Sequence, residues 1–397
     1  MVLTSQSDKA EQVFDIAIVG GGMVGAALAV ATARAGMKVA LLERQMPVTI
    51  SEHSEVDLRV SAINRRSEQW LKDLGAWPQL MTSRLAPYAT LRAFEGDAAP
   101  LDFTAAELGE DHLGHIIENL HIQQALWQQL PDTVERFCPV QLQGYQQMND
   151  YASLQTDQGE IKARLLIAAD GAQSQLKQLA GIGSQGWQYS QACLLVHVST
   201  SYSALPMTWQ QFTPQGPRAY LPLPGREASL VWYDDHLRIQ QLAALPPQQL
   251  AQQIQQHFPA ELGEFSVLKQ GYFPLTRSHA NQYVKGRLVL AGDAAHTINP
   301  LAGQGVNLGF ADAQCLAALL IKQFAAGADL AAPALLAQYE SERRKANLLM
   351  MSAMDVFYQV FSSKLTPLVQ LRRLGLQVAA KAGPLKTYVG KYAAGLV

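Results

Sequence analysis

The stretch FDIAIVGGGMVGAALAVATARAGMKVALLER, residues 14–44, admits few folds. Phe14 to Val19 is a short apolar run with β-branched residues, the signature of a buried strand. Gly20, Gly22 and Gly25 follow at G-x-G-x-x-G spacing, Ala26 to Ala35 reads as a helix stopped by Gly36, and Val39 to Leu42 reads as a second strand ending in Glu43. Strand, glycine turn, helix, strand and acid together specify a dinucleotide-binding βαβ unit. Gly20 permits the tight turn, Gly22 lets the backbone approach a pyrophosphate, and Gly25 lets helix and strand pack closely. The helix N-terminus turns free N–H groups and a positive dipole end toward the phosphates. Glu43, eighteen residues beyond Gly25, sits where a carboxylate accepts ribose hydroxyls. An acid there disfavours a 2′-phosphate, so the expected dinucleotide is FAD or NAD and not NADP.

Two further apolar runs end in acids. RLLIAADGAQSQLKQLAGI delivers Asp170 and Gly171 after Leu165 to Ala169, with a short helix expected over 174–180. RLVLAGDAAHTINPLAGQGVNLG delivers Asp293 after Leu288 to Leu290, then Pro300, a Gly303-Gln304-Gly305-Val306-Asn307 loop and the start of a helix. Both read as buried parallel strands, and ligands of open α/β sheets bind at the carboxyl ends of such strands. For Asp170 the spacing equally fits a turn former or helix cap.

These three motifs together resemble the flavoprotein aromatic hydroxylases of the para-hydroxybenzoate hydroxylase fold, and most closely the ubiquinone-biosynthesis ring hydroxylases. The likeness runs from Phe14 to the C-terminus. Within that group HIIENLHIQQALW, TWQQFTPQGPRAYLPL, SLVWYD, FPLTRSHA and MDVFYQVFS are similar to the members that hydroxylate a prenylated methoxy-benzoquinol. The resemblance implies an α/β fold: a Rossmann-like FAD-binding domain of the glutathione-reductase type, an inserted antiparallel β-sheet substrate domain, and C-terminal helices. Residues 1–73, 105–182 and 280–345 would form the discontinuous FAD-binding domain, 74–104 and 183–279 the substrate domain, and 346–397 the helical region.

The family also implies roles. Gly20, Gly22 and Gly25 would hold the FAD pyrophosphate and Glu43 the adenosine ribose, with the adjoining Arg44 counted among the cofactor-binding residues. Arg59 in DLRVSAIN matches an arginine near the flavin, and Gln123 falls where many relatives carry an FAD-contacting Arg. Asp170 and Gly171 match a motif tied to FAD and the nicotinamide donor. Asp293 would bond the ribitol–pyrophosphate region, Pro300 would lie at the ring, and Gly303, Gln304, Gly305, Val306 and Asn307 would face its pyrimidine edge. Backbone N–H groups at a helix start stabilise the negative charge of a reduced flavin. The implied reaction is monooxygenation: NAD(P)H reduces the flavin, and O2 is activated as a C4a-hydroperoxyflavin for attack by an electron-rich ring. With no second G-x-G-x-x-G, the donor is expected to bind transiently. Sister hydroxylases acting on an earlier polyprenylphenol, flavin reductases of isoprenoid double bonds and non-catalytic FAD-binding assembly subunits share much of this pattern.

From about 183 to 279 the texture changes to alternating strands with Trp209, Phe212, Tyr220, Trp232 and Tyr233, expected to form an antiparallel sheet. Relatives that bind phenol acids clamp a carboxylate with arginines. Here only Arg218 stands in WQQFTPQGPR, which favours a prenylated quinol or phenol. Arg218 and Tyr220 are the substrate-side candidates, with ordinary sheet-surface residues as the alternative. After Asp355 the chain has no acid, while Lys364, Arg372, Arg373, Lys381, Lys386 and Lys391 alternate with apolar residues. That pattern fits helices lying on a membrane surface, or equally a helical cap on the FAD domain or on another subunit, such as a protein of a ubiquinone-biosynthesis complex.

Composition excludes other classes. A balance of 31 Lys+Arg against 33 Asp+Glu gives no basic field for nucleic acid. Three scattered cysteines form no CxxC, and His112 with His115 shows no obvious third ligand, so no metal site is expected. The first twelve residues lack a signal-peptide pattern and no apolar run reaches the ~18–20 residues of a span. A cytoplasmic protein, peripherally membrane-associated at most, is expected.

Overall fold

The computed structural model describes residues 13–96, 99–298, 305–362 and 383–396. Pro300, Gly303 and Gln304, and the tail cations Lys364, Arg372, Arg373 and Lys381, lie outside the described residues.

The first eight-stranded sheet runs Val284–Lys285, Leu288–Leu290, Gly159–Ala168, Val13–Val19, Val39–Leu42 and Glu135–Phe137, with a hairpin of Leu142–Gln147 and Ala152–Thr156 added off this path. The four strands from Leu288 to Leu42 are mutually parallel, and Leu290, Ala168, Val19 and Leu42 stand on one rung. The three acids found by sequence therefore leave the sheet at one level. Ile16, Ala17, Ile18, Leu41 and Leu166 are fully buried, each large one contributing about 1.5–3 kcal/mol of burial. The glycine-loop helix is Met23–Arg34, starting three residues before its expected place because Gly22 is the N-cap.

The second sheet also has eight strands, in the order His296–Thr297, Phe265–Ala280, Ser184–Thr200, Glu227–Asp235, Arg218–Pro222, Met207–Phe212, Thr90–Glu95 and Leu101–Thr104. It is antiparallel as expected save at one place: Met207–Phe212 pairs in parallel with Thr90–Glu95. Those strands come from separate chain segments, so no hairpin dictates their direction. One face carries Leu194, Val196, Trp232 and Tyr220, covered by the helices His236–Ala243 and Pro247–His257. The opposite face floors a cavity. A third, three-stranded sheet (Val60–Asn64, Gly114–Glu118, Ala86–Tyr88) closes one side.

The helix Gly305–Ala325 has the length and mean hydropathy of a span, contrary to the sequence expectation. Phe310, Ala313, Leu316 and Leu320 bury it in the core, and it carries a buried ion pair at Asp312, so it is a core helix. A single helix, Pro333–Ser362, crosses the boundary drawn at residue 345 and roofs the cavity. The last helix, Gly383–Ala393, packs on the strand Leu101–Thr104 and its following turn. Lys386 bonds Glu107 at 2.7 Å and Ala394 is buried with Phe103 and Tyr88. This end of the tail is thus a cap on the protein.

Candidate active site

The glycine loop is shaped by collisions that only glycine avoids. Gly20 has φ +103°, and a Cβ there would sit 2.4 Å from the Ala169 carbonyl oxygen. At Gly25 it would sit 1.9 Å from the Gly20 oxygen, and at Gly21 2.5 Å from the Trp127 ring. Gly22 differs: its φ is −66°, open to any residue, and a Cβ would meet nothing within 4 Å. Neither backbone nor neighbours require a glycine there, and the space above it lies open at the helix N-terminus.

Glu43 folds back on this loop. Its Oε2 accepts the Gly21 N–H at 2.6 Å, and Oε1 accepts those of Arg44 at 2.7 Å and Gln45 at 3.2 Å. With about four acceptor sites on a carboxylate, a ribose bringing two hydroxyls displaces one of these bonds. The Arg44 side chain is exposed. Gln123 Nε2 donates to the Gly21 carbonyl at 2.8 Å, so this side chain fastens the loop itself. Trp127, one turn later, donates Nε1 to the same oxygen at 2.7 Å. Sequence reading missed Trp127; its i+4 spacing from Gln123 was the available signal.

Asp170 is tied to the start of the helix Gln175–Leu179. Oδ2 accepts from Leu176 N at 3.2 Å, while the buried Oδ1 has no hydrogen-bond partner. Burial pushes its pKa up. Gly171 follows with φ +80°. Asp293 emerges from the left-handed Gly292 (φ +61°) into the cavity wall. Its carboxylate opens to cavity space yet is crowded by protein. Burial raises its pKa, with the His296 and Arg59 charges opposing. Arg59, Gly305 and Val306 line the same part of the wall. Asn307 is locked away from it: Oδ1 accepts from Asn64 N at 3.1 Å and Nδ2 donates to Ala62 O at 2.8 Å. It fastens the helix start to the strand Val60–Asn64.

The cavity, about 1320 Å³, lies between these residues and the second sheet. Cys193, Leu195, Val231 and Phe273 form its floor, and Met354 and Val360 its roof. Among the described lining residues only Arg59 and Asp293 carry charge.

Arg218 and Tyr220 do not line the cavity, which corrects the sequence assignment. Strand alternation turns both to the helix-covered face and presents Ala219 and Leu221 instead. Arg218 donates to the His257 carbonyl and lies over Trp232 at 5.4 Å. Tyr220 stacks on Trp209 at 5.8 Å, and burial pushes its phenol up to about 12. His112 and His115 do acquire a third neighbour, Glu68, at 2.7 and 3.3 Å. The same carboxylate also binds Lys72 at 2.6 Å and Arg65 at 3.2 Å. Burial pushes Glu68 up, but its His115, Lys72 and His112 bonds outweigh this and hold it well below the carboxylate range. Two cations already satisfy that acid, so the cluster is an ion-pair network rather than a cation site.

Residues 13–353 match the family described as the FAD binding domain. The chain belongs to the FAD-dependent monooxygenase family. It is 47% identical to the 3-demethoxyubiquinol 3-hydroxylase of Escherichia coli (strain K12), over 96% of this chain and 98% of that protein. It is 34% identical to ubiquinone hydroxylase UbiL of Rhodospirillum rubrum, over 97% and 90%. Among solved structures, p-nitrophenol 4-monooxygenase PnpA from Pseudomonas putida DLL-E4 superposes with a TM-score of 0.79 at 20% identity, over 96% of this chain and 97% of that one. That likeness establishes the shared fold.

Proposed function

We propose that this protein hydroxylates the ring of a prenylated methoxy-benzoquinol of the demethoxyubiquinol type, using FAD, NAD(P)H and O2. The observation that carries this reading is the cavity. Among the described lining residues the two charged ones, Arg59 and Asp293, both belong to the proposed cofactor edge, and the floor and roof offer no cation to clamp a carboxylate. An uncharged ring with an apolar tail matches such walls; a phenol acid does not. The likeness to the E. coli hydroxylase supports the same class.

In this reading Gly20, Gly22, Gly25 and the helix N-terminus hold the FAD pyrophosphate, with Glu43 at the adenosine ribose. Arg59, Asp170, Gly171 and Asp293 line the ribitol and ring approach. Gly305 and Val306 present the helix start to the pyrimidine edge, and Pro300, Gly303 and Gln304 are assigned beside them by motif alone. Bound FAD supplies electron transfer from NAD(P)H and activation of O2. The protein orients the ring and keeps water out with Leu195, Val231, Phe273 and Met354. Quinone analysis of cells lacking the protein tests the assignment. Accumulation of the methoxy-benzoquinol lacking one hydroxyl is expected; accumulation of an earlier prenylphenol would reassign the protein to a sister step.

The cavity mouth supports peripheral membrane contact. Leu349, Val356 and Val389 line the cavity and are also 71%, 60% and 45% exposed, with Tyr388 and Tyr392 beside them. An apolar rim continuous with an apolar cavity suits a bilayer that stores the substrate, and fits a polar protein subunit less well. Leu349→Asp combined with Val389→Asp is expected to reduce co-sedimentation with anionic phospholipid vesicles while FAD content stays unchanged. Undiminished sedimentation would reject the contact.

A further inference from the structure

Behind the cavity wall lies a buried carboxylate that the proposed reaction does not use. Asp312, fully buried on the helix Gly305–Ala325, spends both oxygens on four donors. Oδ2 accepts from Gly292 N at 3.1 Å and His296 Nε2 at 2.6 Å. Oδ1 accepts from Arg343 Nε at 2.7 Å and Asn347 Nδ2 at 2.9 Å. The first pair belongs to the turn that carries Asp293. The second pair belongs to the roof helix Pro333–Ser362. Asp312 itself rides on the helix whose start, Gly305 and Val306, lines the cavity. One side chain therefore ties together the turn, the helix and the roof.

The packing around it leaves no slack. A Cβ at Gly309 would meet Val24 at 2.7 Å and Gly292 Cα at 3.5 Å, and one at Gly292 would meet Val24 at 3.2 Å. Turn, motif helix and glycine-loop helix are in direct contact there. Asn347 Nδ2 also reaches Tyr283 OH at 3.3 Å, and that hydroxyl meets His279 Nε2 at 3.1 Å, extending the network into the second sheet.

We propose that Asp312 is a positioning residue that fixes the separation between Asp293 and the Gly305–Val306 helix start, and so sets the fit of the flavin half of FAD. It touches no cofactor atom itself. This rests on the reading that the flavin half lies along Asp293, Gly305 and Val306. The adenosine half, assigned to Gly20–Gly25 and Glu43, depends on a different part of the sheet edge. Asp312 therefore discriminates between the two halves, which a residue that merely stabilises the fold does not.

The test measures the affinity of the full-length apoprotein for FAD and for ADP, which carries the adenosine and pyrophosphate of FAD but neither ribitol nor flavin. Asp312→Asn preserves the shape but turns one amide donor against existing donors. It is expected to weaken FAD by about tenfold and to alter the visible absorption band of the bound flavin, with ADP affinity within about twofold of the parent. His296→Phe keeps the ring volume, removes one donor and retains the charge pair with Arg343, so it serves if Asp312→Asn does not fold. It is expected to shift FAD affinity in the same direction by a smaller factor. Equal weakening of FAD and ADP, or unchanged FAD affinity in both variants, would overturn the proposal. Failure of the parent protein to bind FAD more tightly than ADP would instead overturn the placement of the flavin half.

Discussion

Gly25→Ala is expected to give protein without bound FAD. The added methyl would stand 1.9 Å from the Gly20 carbonyl oxygen and 3.2 Å from the Ala169 side chain, and the nearer atom is backbone. Relief requires the glycine-loop helix to withdraw from the strand Val13–Val19, at a cost of about 1–3 kcal/mol or more. Withdrawal moves the N–H groups assigned to the pyrophosphate, so FAD affinity is expected to fall by about a hundredfold or more. The flavin-to-protein absorbance ratio of purified protein measures this directly, with thermal unfolding of the apoprotein separating lost binding from lost fold. A parent-like flavin content would contradict the loop assignment. Gly22→Ala is the informative partner: its methyl meets no protein atom, so apoprotein stability should hold while FAD affinity falls.

Leu195→Arg is expected to abolish hydroxylation while leaving cofactor reduction in place. Leu195 stands mid-floor, registered between Val231 and Gly271, and lines the cavity remote in sequence from the glycine loop. A guanidinium there desolvates against apolar walls or stays hydrated inside them, and both outcomes exclude a prenylated ring. Turnover per Km for the quinol is expected to drop by about a hundredfold or more, given that a buried unpaired charge costs several kcal/mol. Measured together, NAD(P)H oxidation, peroxide release and hydroxylated product should uncouple: oxidation persists and peroxide replaces product. Unchanged coupling would place the substrate elsewhere. Leu195→Met, which conserves volume, should retain coupled turnover.

The strand-end motifs of this molecule were legible because they lie in consecutive residues. Gly20 to Gly25, Glu43, Asp170 and Asp293 each follow an apolar run, and the shared rung of Val19, Leu42, Ala168 and Leu290 brings them to one edge. Alternation of 218 with 219 and 220 with 221 was equally readable, but not which face the helices His236–Ala243 and Pro247–His257 would cover. That missing fact sent Arg218 and Tyr220 to the wrong side. Glu68 joins His112 across 44 positions, and Asp312 joins Arg343 and Asn347 across 31 and 35. Such pairs carry no local periodicity, since tertiary packing alone brings them together. The tail shows the same limit: basic and apolar residues at helical spacing fit a membrane or a protein face, and Lys386 in fact meets Glu107.

The level rung of the first sheet also governs the order in which the molecule can be completed. Its four parallel strands come from residues 13–19, 39–42, 159–168 and 288–290. During synthesis the second sheet's strands up to residue 280 emerge before the strand Leu288–Leu290 can dock, and pairing across such sequence distances is slow. The turn bearing Asp293 and the helix begun at Gly305 arrive later still. The carboxyl edge of the first sheet is thus finished from the last third of the chain, and on the proposed assignment flavin uptake is expected to report completed folding.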